Sequence, residues 1–204
     1  LIWEQGHSIA IMGESGSGKS TLARLMIGLE RPSEGRVLIN GVDTTKWGLR
    51  EWRKYRGKIQ AVFQDAGGTL NPSWSTSKNV EEALVNLTDL SPSQRKNRIA
   101  ELMEQTGLSK SLLDTPVRKL SGGEQRRLAL LRSLSISPEF LILDEVTAGL
   151  DLISTEAVLQ LLEKYEQEHD CAYLVITHDI QVASRLCEVI CEIEHGKFTK
   201  KAVR

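Results

Sequence analysis

Short apolar runs punctuate the chain at Ser8–Met12, Phe140–Leu143, Ala172–Thr177 and Val189–Ile193. They show no polar alternation, which predicts strands buried on both faces of a parallel sheet. Between two of them the period lengthens. Across Ser154–His169, the residues Val158, Leu161, Leu162 and Tyr165 fall at i, i+3, i+4 and i+7. That spacing predicts an amphipathic helix, with Ser154 as its expected cap. Strands alternating with helices predict an α/β fold. The first three runs end at polar or glycine residues, on the edge where open α/β sheets hold ligands.

The stretch from Ala66 to about Ser137 has a different pattern. It opens on Gly67-Gly68 and Asn71-Pro72, which marks a loop. Ser91-Pro92 then starts a helix carrying Ile99, Leu102 and Met103, and a second helix is expected from Gly123 to about Ser135. We read residues 66–137 as a helical subdomain inserted into a core formed by 1–65 and 138–204. A hairpin is expected around Gly196 near the end of the chain. No repeat or low-complexity tract interrupts the pattern.

Composition bounds the possibilities. Among 204 residues, 26 Lys and Arg stand against 27 Asp and Glu, a net charge of −1. A general nucleic-acid surface wants a basic excess, so no nucleic-acid partner is expected. No apolar run approaches the ~18 residues of a membrane-spanning helix, and no signal peptide is visible. The three cysteines, Cys171, Cys187 and Cys191, are too few for a disulfide scaffold. The four-residue spacing of Cys187 and Cys191 allows a shared helical face or a metal pair, but buried thiols are the expected state. Residue 1 is Leu, so the natural N-terminus is expected to lie upstream.

Gly13-Glu14-Ser15-Gly16-Ser17-Gly18-Lys19-Ser20, followed by Thr21, sits between an apolar run and a helix. This is the P-loop pattern. Glycines let successive backbone N–H groups point at phosphate oxygens, and the following helix adds its positive end. Lys19 is expected to reach the outer phosphates, and the Ser20 hydroxyl to ligate Mg²⁺. The loop indicates a nucleotide without saying which machine uses it.

Phe140-Leu141-Ile142-Leu143 runs into Asp144-Glu145. Successive side chains of a strand face opposite ways, so the two acids can take different roles. Asp144 is expected to hold Mg²⁺ through its water shell, and Glu145 to polarise the attacking water as general base. His178 ends another buried run and is expected on the same sheet edge, near the terminal phosphate. His7, His169 and His195 are expected to be structural. Gln64, after Ala61-Val62-Phe63, has an amide suited to Mg²⁺ and to sensing nucleotide.

Leu120-Ser121-Gly122-Gly123-Glu124-Gln125 resembles the signature motif of ATP-binding-cassette ATPases, and Ala148-Gly149-Leu150-Asp151 resembles their D-loop. With the P-loop, Gln64, the acidic strand and His178, the resemblance runs through the whole chain. It implies a P-loop NTPase core, RecA-like, with a mostly parallel sheet, the helical signature subdomain and a small antiparallel β portion. It also implies ATP and Mg²⁺ as cofactors and hydrolysis of ATP. Ser121, Gly122, Gly123 and Gln125 would meet the nucleotide of a second cassette subunit, identical or paralogous, with Asp151 at the dimer seam. Phe63-Gln64-Asp65 followed by Gly68-Thr69-Leu70-Asn71-Pro72 resembles the ATPases of bacterial peptide and nickel importers, although Ala66 and Gly67 depart from that pattern.

The resemblance further implies membrane permease subunits as partners, an extracellular solute-binding protein indirectly, and a place on the cytoplasmic face of the plasma membrane. The segment from Gln64 to about Val80 would dock the permease, with Pro72 and Trp74 as contact residues or as packing. The family's adenine-stacking aromatic lies upstream of the P-loop, and Trp3 stands too close to it to serve. Two other functions compete. A soluble cassette of DNA repair or translation would want long coiled coils, zinc modules or a second cassette. A small-molecule kinase would leave the signature and His178 without a purpose.

Overall fold

The computed structural model describes residues 1–203, and the side chains of all of these except 66, 67 and 200–203. The chain divides into two compact units. The first comprises Leu1–Ala61, Glu139–Glu145 and Ala172 onward; the second comprises Val62–Pro138 and Val146–Cys171.

In the first unit, the strands β1 (Ile9–Met12), β2 (Leu38–Ile39), β3 (Val42–Asp43), β4 (Ile59–Val62, whose last residue belongs to the second unit), β5 (Phe140–Asp144), β6 (Ala172–Ile176), β7 (Val189–Glu194) and β8 (Lys197–Val203) form two sheets. The larger has the order β4-β5-β6-β1-β7-β8, and β2 with β3 makes a separate antiparallel pair. β1 runs parallel to both β6 and β7, and β5 runs parallel to β6. The expected hairpin is present, with β8 antiparallel to β7 across His195-Gly196. Leu141, Ile142, Leu143, Ala172, Tyr173 and Leu174 are all fully buried, which is why their runs lack polar alternation. Burying each Leu contributes on the order of 2 kcal/mol. Three helices belong to this unit: α1 (Lys19–Met26), α2 (Leu49–Arg56) and α7 (Ile180–Leu186).

The second unit is helical. It holds α3 (Thr76–Leu87), α4 (Pro92–Gln105), α5 (Gly122–Ser135) and α6 (Leu152–His169). α4 begins as Ser91-Pro92 predicts. The Ser91 side chain accepts from the Gln94 N–H, the Gln94 side chain answers, and proline occupies the first turn. Ile99, Leu102 and Met103 are its buried face. α6 follows the predicted stripe, but its cap is corrected. Asp151, not Ser154, occupies the N-cap, and its carboxylate accepts from both the Ser154 N–H (2.9 Å) and the Ser154 hydroxyl (2.7 Å).

α3 follows the Asn71-Pro72 loop and is a helix that the loop signature does not predict. Asn79, 3% exposed, explains how that segment closes on itself. Its side-chain oxygen accepts from the Asn71 N–H at 2.8 Å, and its amide donates to the carbonyls of Asn71 and Ser75. The Asn71-Pro72 turn is thereby tied to the first turn of α3. Trp74 lies beneath the Lys78 ammonium, 4.6 Å from its ring centre.

The cysteines are buried thiols. Cys187 caps the end of α7 and Cys191 lies on β7, so they share no helical face. Burial pushes the Cys171 thiol up to about 12, which leaves it protonated and inert. No helix among the described residues is long and apolar enough to cross a membrane.

Candidate functional site

In the first unit, the loop between β1 and α1 takes left-handed backbone at Gly13, Gly16 and Gly18, with φ of 149°, 82° and 105°. Gly13 also permits a close approach. A Cβ there would stand 2.2 Å from the Ile193 carbonyl oxygen on β7, so no other residue fits. The loop arches over its own lysine: Lys19 Nζ donates to the carbonyls of Gly13 and Glu14, each at 2.7 Å. Glu14, Ser15, Gly16 and Thr21 are exposed. Ser17 is 8% exposed, and its hydroxyl has no hydrogen-bond partner among the described residues. An orphaned buried hydroxyl in a loop of left-handed turns is a cradle built for an oxygen-rich anion.

The Ser20 hydroxyl donates to the Asp144 carboxylate at the end of β5. Asp144 is 4% exposed, and burial raises its pKa above the ordinary carboxylate value, with the Ser20 bond opposing and the Glu145 charge adding to the shift. A buried carboxylate paired with a hydroxyl oxygen is a donor set that suits a hard divalent cation. Among the described residues no cluster of three or more His, Cys, Asp or Glu forms a closed metal cage.

Glu145 leaves β5 with φ 52°, held there by its N–H donating to the Ile176 carbonyl at 2.9 Å. That turn brings its carboxylate to His178, whose Nδ1 lies 3.0 Å from Oε1. The Glu145 side chain is mostly buried and that of His178 is 73% exposed. The hydrogen bond and the charge of Glu145 raise the His178 pKa above its ordinary value. Lys19, Ser20, Asp144, Glu145 and His178 thus gather at the ends of β1, β5 and β6, as their runs predict.

The remaining predicted residues lie in the second unit. Gln64 is exposed. Ser121 caps α5: its hydroxyl accepts from the Glu124 N–H, and the Glu124 carboxylate accepts from both the Ser121 N–H and hydroxyl at 2.8 Å. Those bonds lower the Glu124 pKa. Gly122 is exposed and Gly123 half-buried at the N-terminus of α5, where a Cβ on Gly123 would stand 3.6 Å from Leu150 Cδ2. Gln125 is turned inward instead, donating to the Leu120 carbonyl at 3.0 Å, and so shapes the signature turn from behind. Asp151 caps α6, as described above. Arg126 was missed by sequence reasoning: its guanidinium donates to the Ala148 carbonyl and ties α5 to the Ala148–Asp151 turn. Only its place just after the signature hints at this. Trp3 packs edge-on against Phe140, with ring centres 4.8 Å apart, consistent with a structural part.

These features define a P-loop ATPase with a signature helix, and comparison with known proteins gives the family. The profile of the ABC transporter family matches residues 1–148, and the chain belongs to that family as an ATP-binding, ATP-hydrolysing cassette subunit. It is 36% identical over 198 residues to the nickel import ATP-binding protein NikE of Rhodospirillum rubrum, covering 97% of this chain and 72% of that protein. Among solved structures it resembles the dimeric, post-hydrolysis ATP-binding cassette MJ0796 bound to ADP and Pi, with a TM-score of 0.92 and 33% identity over 100% of this chain and 88% of that one. It also resembles cbiO1 from Clostridium perfringens, part of the ABC transporter complex cbiONQ, with a TM-score of 0.84 and 30% identity over 100% of this chain and 79% of that one.

Proposed function

We propose that this cassette powers the import of nickel ions, by binding and hydrolysing ATP on the cytoplasmic face of the plasma membrane. The single observation that carries the catalytic part is the convergence of Lys19, the Ser20–Asp144 pair and the Glu145–His178 pair on one sheet edge. The nickel cargo is supported by the relatives named as nickel import ATP-binding proteins, which favours nickel over peptide among the importers of this type.

The backbone N–H groups of Gly16, Ser17, Gly18, Lys19 and Ser20 bind the phosphates, with the Ser17 hydroxyl and Thr21 at the same cradle. On binding, the Lys19 ammonium exchanges its two loop carbonyls for phosphate oxygens. Mg²⁺, when bound, neutralises charge on the outer phosphates. Ser20 and Asp144 are the oxygen donors that suit it. Glu145 accepts the proton of the attacking water, and His178 orients Glu145 and the terminal phosphate. Ser121 and Gly123 present the N-terminus of α5 to the triphosphate of a second cassette subunit.

Partners of the cassette are that second subunit, membrane permease subunits docked on the Gln64–Val80 segment and, indirectly, an extracellular solute-binding protein. The dimeric state of MJ0796 supports the first and the cbiONQ complex of cbiO1 the second. The test is ⁶³Ni uptake in cells whose own nickel cassette is deleted. Restored uptake by the parent, and none by Glu145→Gln, is expected; restored peptide uptake without nickel uptake would overturn the cargo.

A further inference from the structure

We infer that the β7–β8 turn is a positioning element of the phosphate loop, acting through the Gly196 amide. The inference rests on the nucleotide reading above and extends it to a part of the chain that carries none of the recognised motifs.

Two contacts join the hairpin to the loop, one at each end. At the first end, Gly13 lies against the Ile193 carbonyl so closely that a Cβ would collide at 2.2 Å. At the other, the Gly196 N–H donates to the Ser17 carbonyl at 3.0 Å. The peptide joining Ser17 to Gly18 is planar and trans, so its carbonyl and its N–H point in opposite directions. Fixing the Ser17 carbonyl on the turn therefore aims the Gly18 N–H away from the turn. That N–H belongs to the row that binds phosphate oxygens, so the strut sets the direction of a donor it never touches.

The turn is built to hold this position. His195 and Gly196 both take left-handed backbone, with φ of 48° and 76°, which matches the tight turn of a twisted hairpin. Next to it the pairing of β7 with β8 shifts register between Glu192 and Ile193, an irregularity of the kind that re-aims a strand. Ile193 is the residue whose carbonyl backs Gly13.

The test compares two glycines with the same geometry. Gly196 and Gly41, in the β2–β3 turn, both have φ 76°, and a Cβ added at either meets nothing within 4 Å. Valine at either site strains its own turn alike and adds no clash. Gly196→Val is expected to raise the ATP Kd by about tenfold, the scale of left-handed strain passed on to the loop. Gly196→Asn, tolerant of that backbone, should stay within about twofold of the parent. Gly41→Val should lower Tm while leaving the Kd unchanged. An unchanged Kd in Gly196→Val, or an equal loss in Gly41→Val, overturns the inference. If Gly196→Val does not fold, Gly196→Ala against Gly41→Ala decides by the same criteria. Hydrogen exchange at the parent's Gly196 amide separates the two readings. A protected amide in a protein that binds no ATP sinks the nucleotide reading and leaves the strut, whereas fast exchange sinks the strut.

Discussion

Nδ1 of His178 lies 3.0 Å from Oε1 of Glu145, joining the residue after β5 to the second residue after β6. The two strands pair in parallel register, Asp144 opposite Ile176, and that register sets the meeting. The carboxylate is largely withdrawn from water, while the imidazole stays on the open side. The proposed base is thereby oriented before any substrate arrives.

Glu145→Gln keeps the shape of the side chain and removes its basicity. Hydrolysis is expected to slow by about 10²–10⁴, the usual contribution of a general base, with ATP affinity preserved. Size-exclusion chromatography with ATP should show a trapped dimer. Near-parent turnover would take Glu145 out of the catalytic role.

The Glu145–His178 pair gives a pH dependence of definite sign. Because the folded-state pKa of His178 is raised, the pairing is complete below its ordinary value of 6.5 and is lost as pH rises through the raised value. Titration of the His178 ring by NMR should show a midpoint above 6.5, returning towards 6.5 in Glu145→Gln. A midpoint at or below that value in the parent contradicts the pairing.

Lys19 holds two carbonyls of its own loop at 2.7 Å, so Lys19→Ala removes a brace as well as a charge. Loss of a charge-assisted hydrogen bond of this kind corresponds to about 10- to 100-fold weaker ATP binding. Calorimetry giving an unchanged Kd would remove Lys19 from the site.

Ser121→Ala tests a residue with two parts to play. Losing the N-cap of α5 is expected to cost about 1 kcal/mol of stability. The proposed contact with a partner's nucleotide predicts a second effect: a mixture of Ser121→Ala with Lys19→Ala retains activity, because one composite site stays intact. If every mixed dimer is inactive, the shared-site arrangement fails even where the stability loss is observed.

Much of this was legible in order along the chain. The unbroken apolar runs mark β1, β5, β6 and β7, because strands buried on both faces leave no polar alternation. The P-loop and signature are local patterns of glycine and hydroxyl residues, whose backbone demands are set within a few residues. α3 was illegible because Asn71-Pro72 reads as loop, and only the buried Asn79 shows how that loop closes on a helix. Asp151 took the cap expected of Ser154 because its longer carboxylate reaches both the Ser154 N–H and the hydroxyl from one residue before the helix.

By itself, the sequence determined the sheet core, the phosphate loop, the two acids at the end of β5 and the family they indicate. Tertiary structure alone decided that Gly196 meets Ser17 and that Arg126 meets Ala148. The physical reason is range. Periodicity and turn chemistry are written over neighbouring residues, whereas those contacts join segments distant in sequence. They use a backbone amide in one case and a carbonyl in the other, groups that every residue carries and that leave no mark in the pattern of side chains.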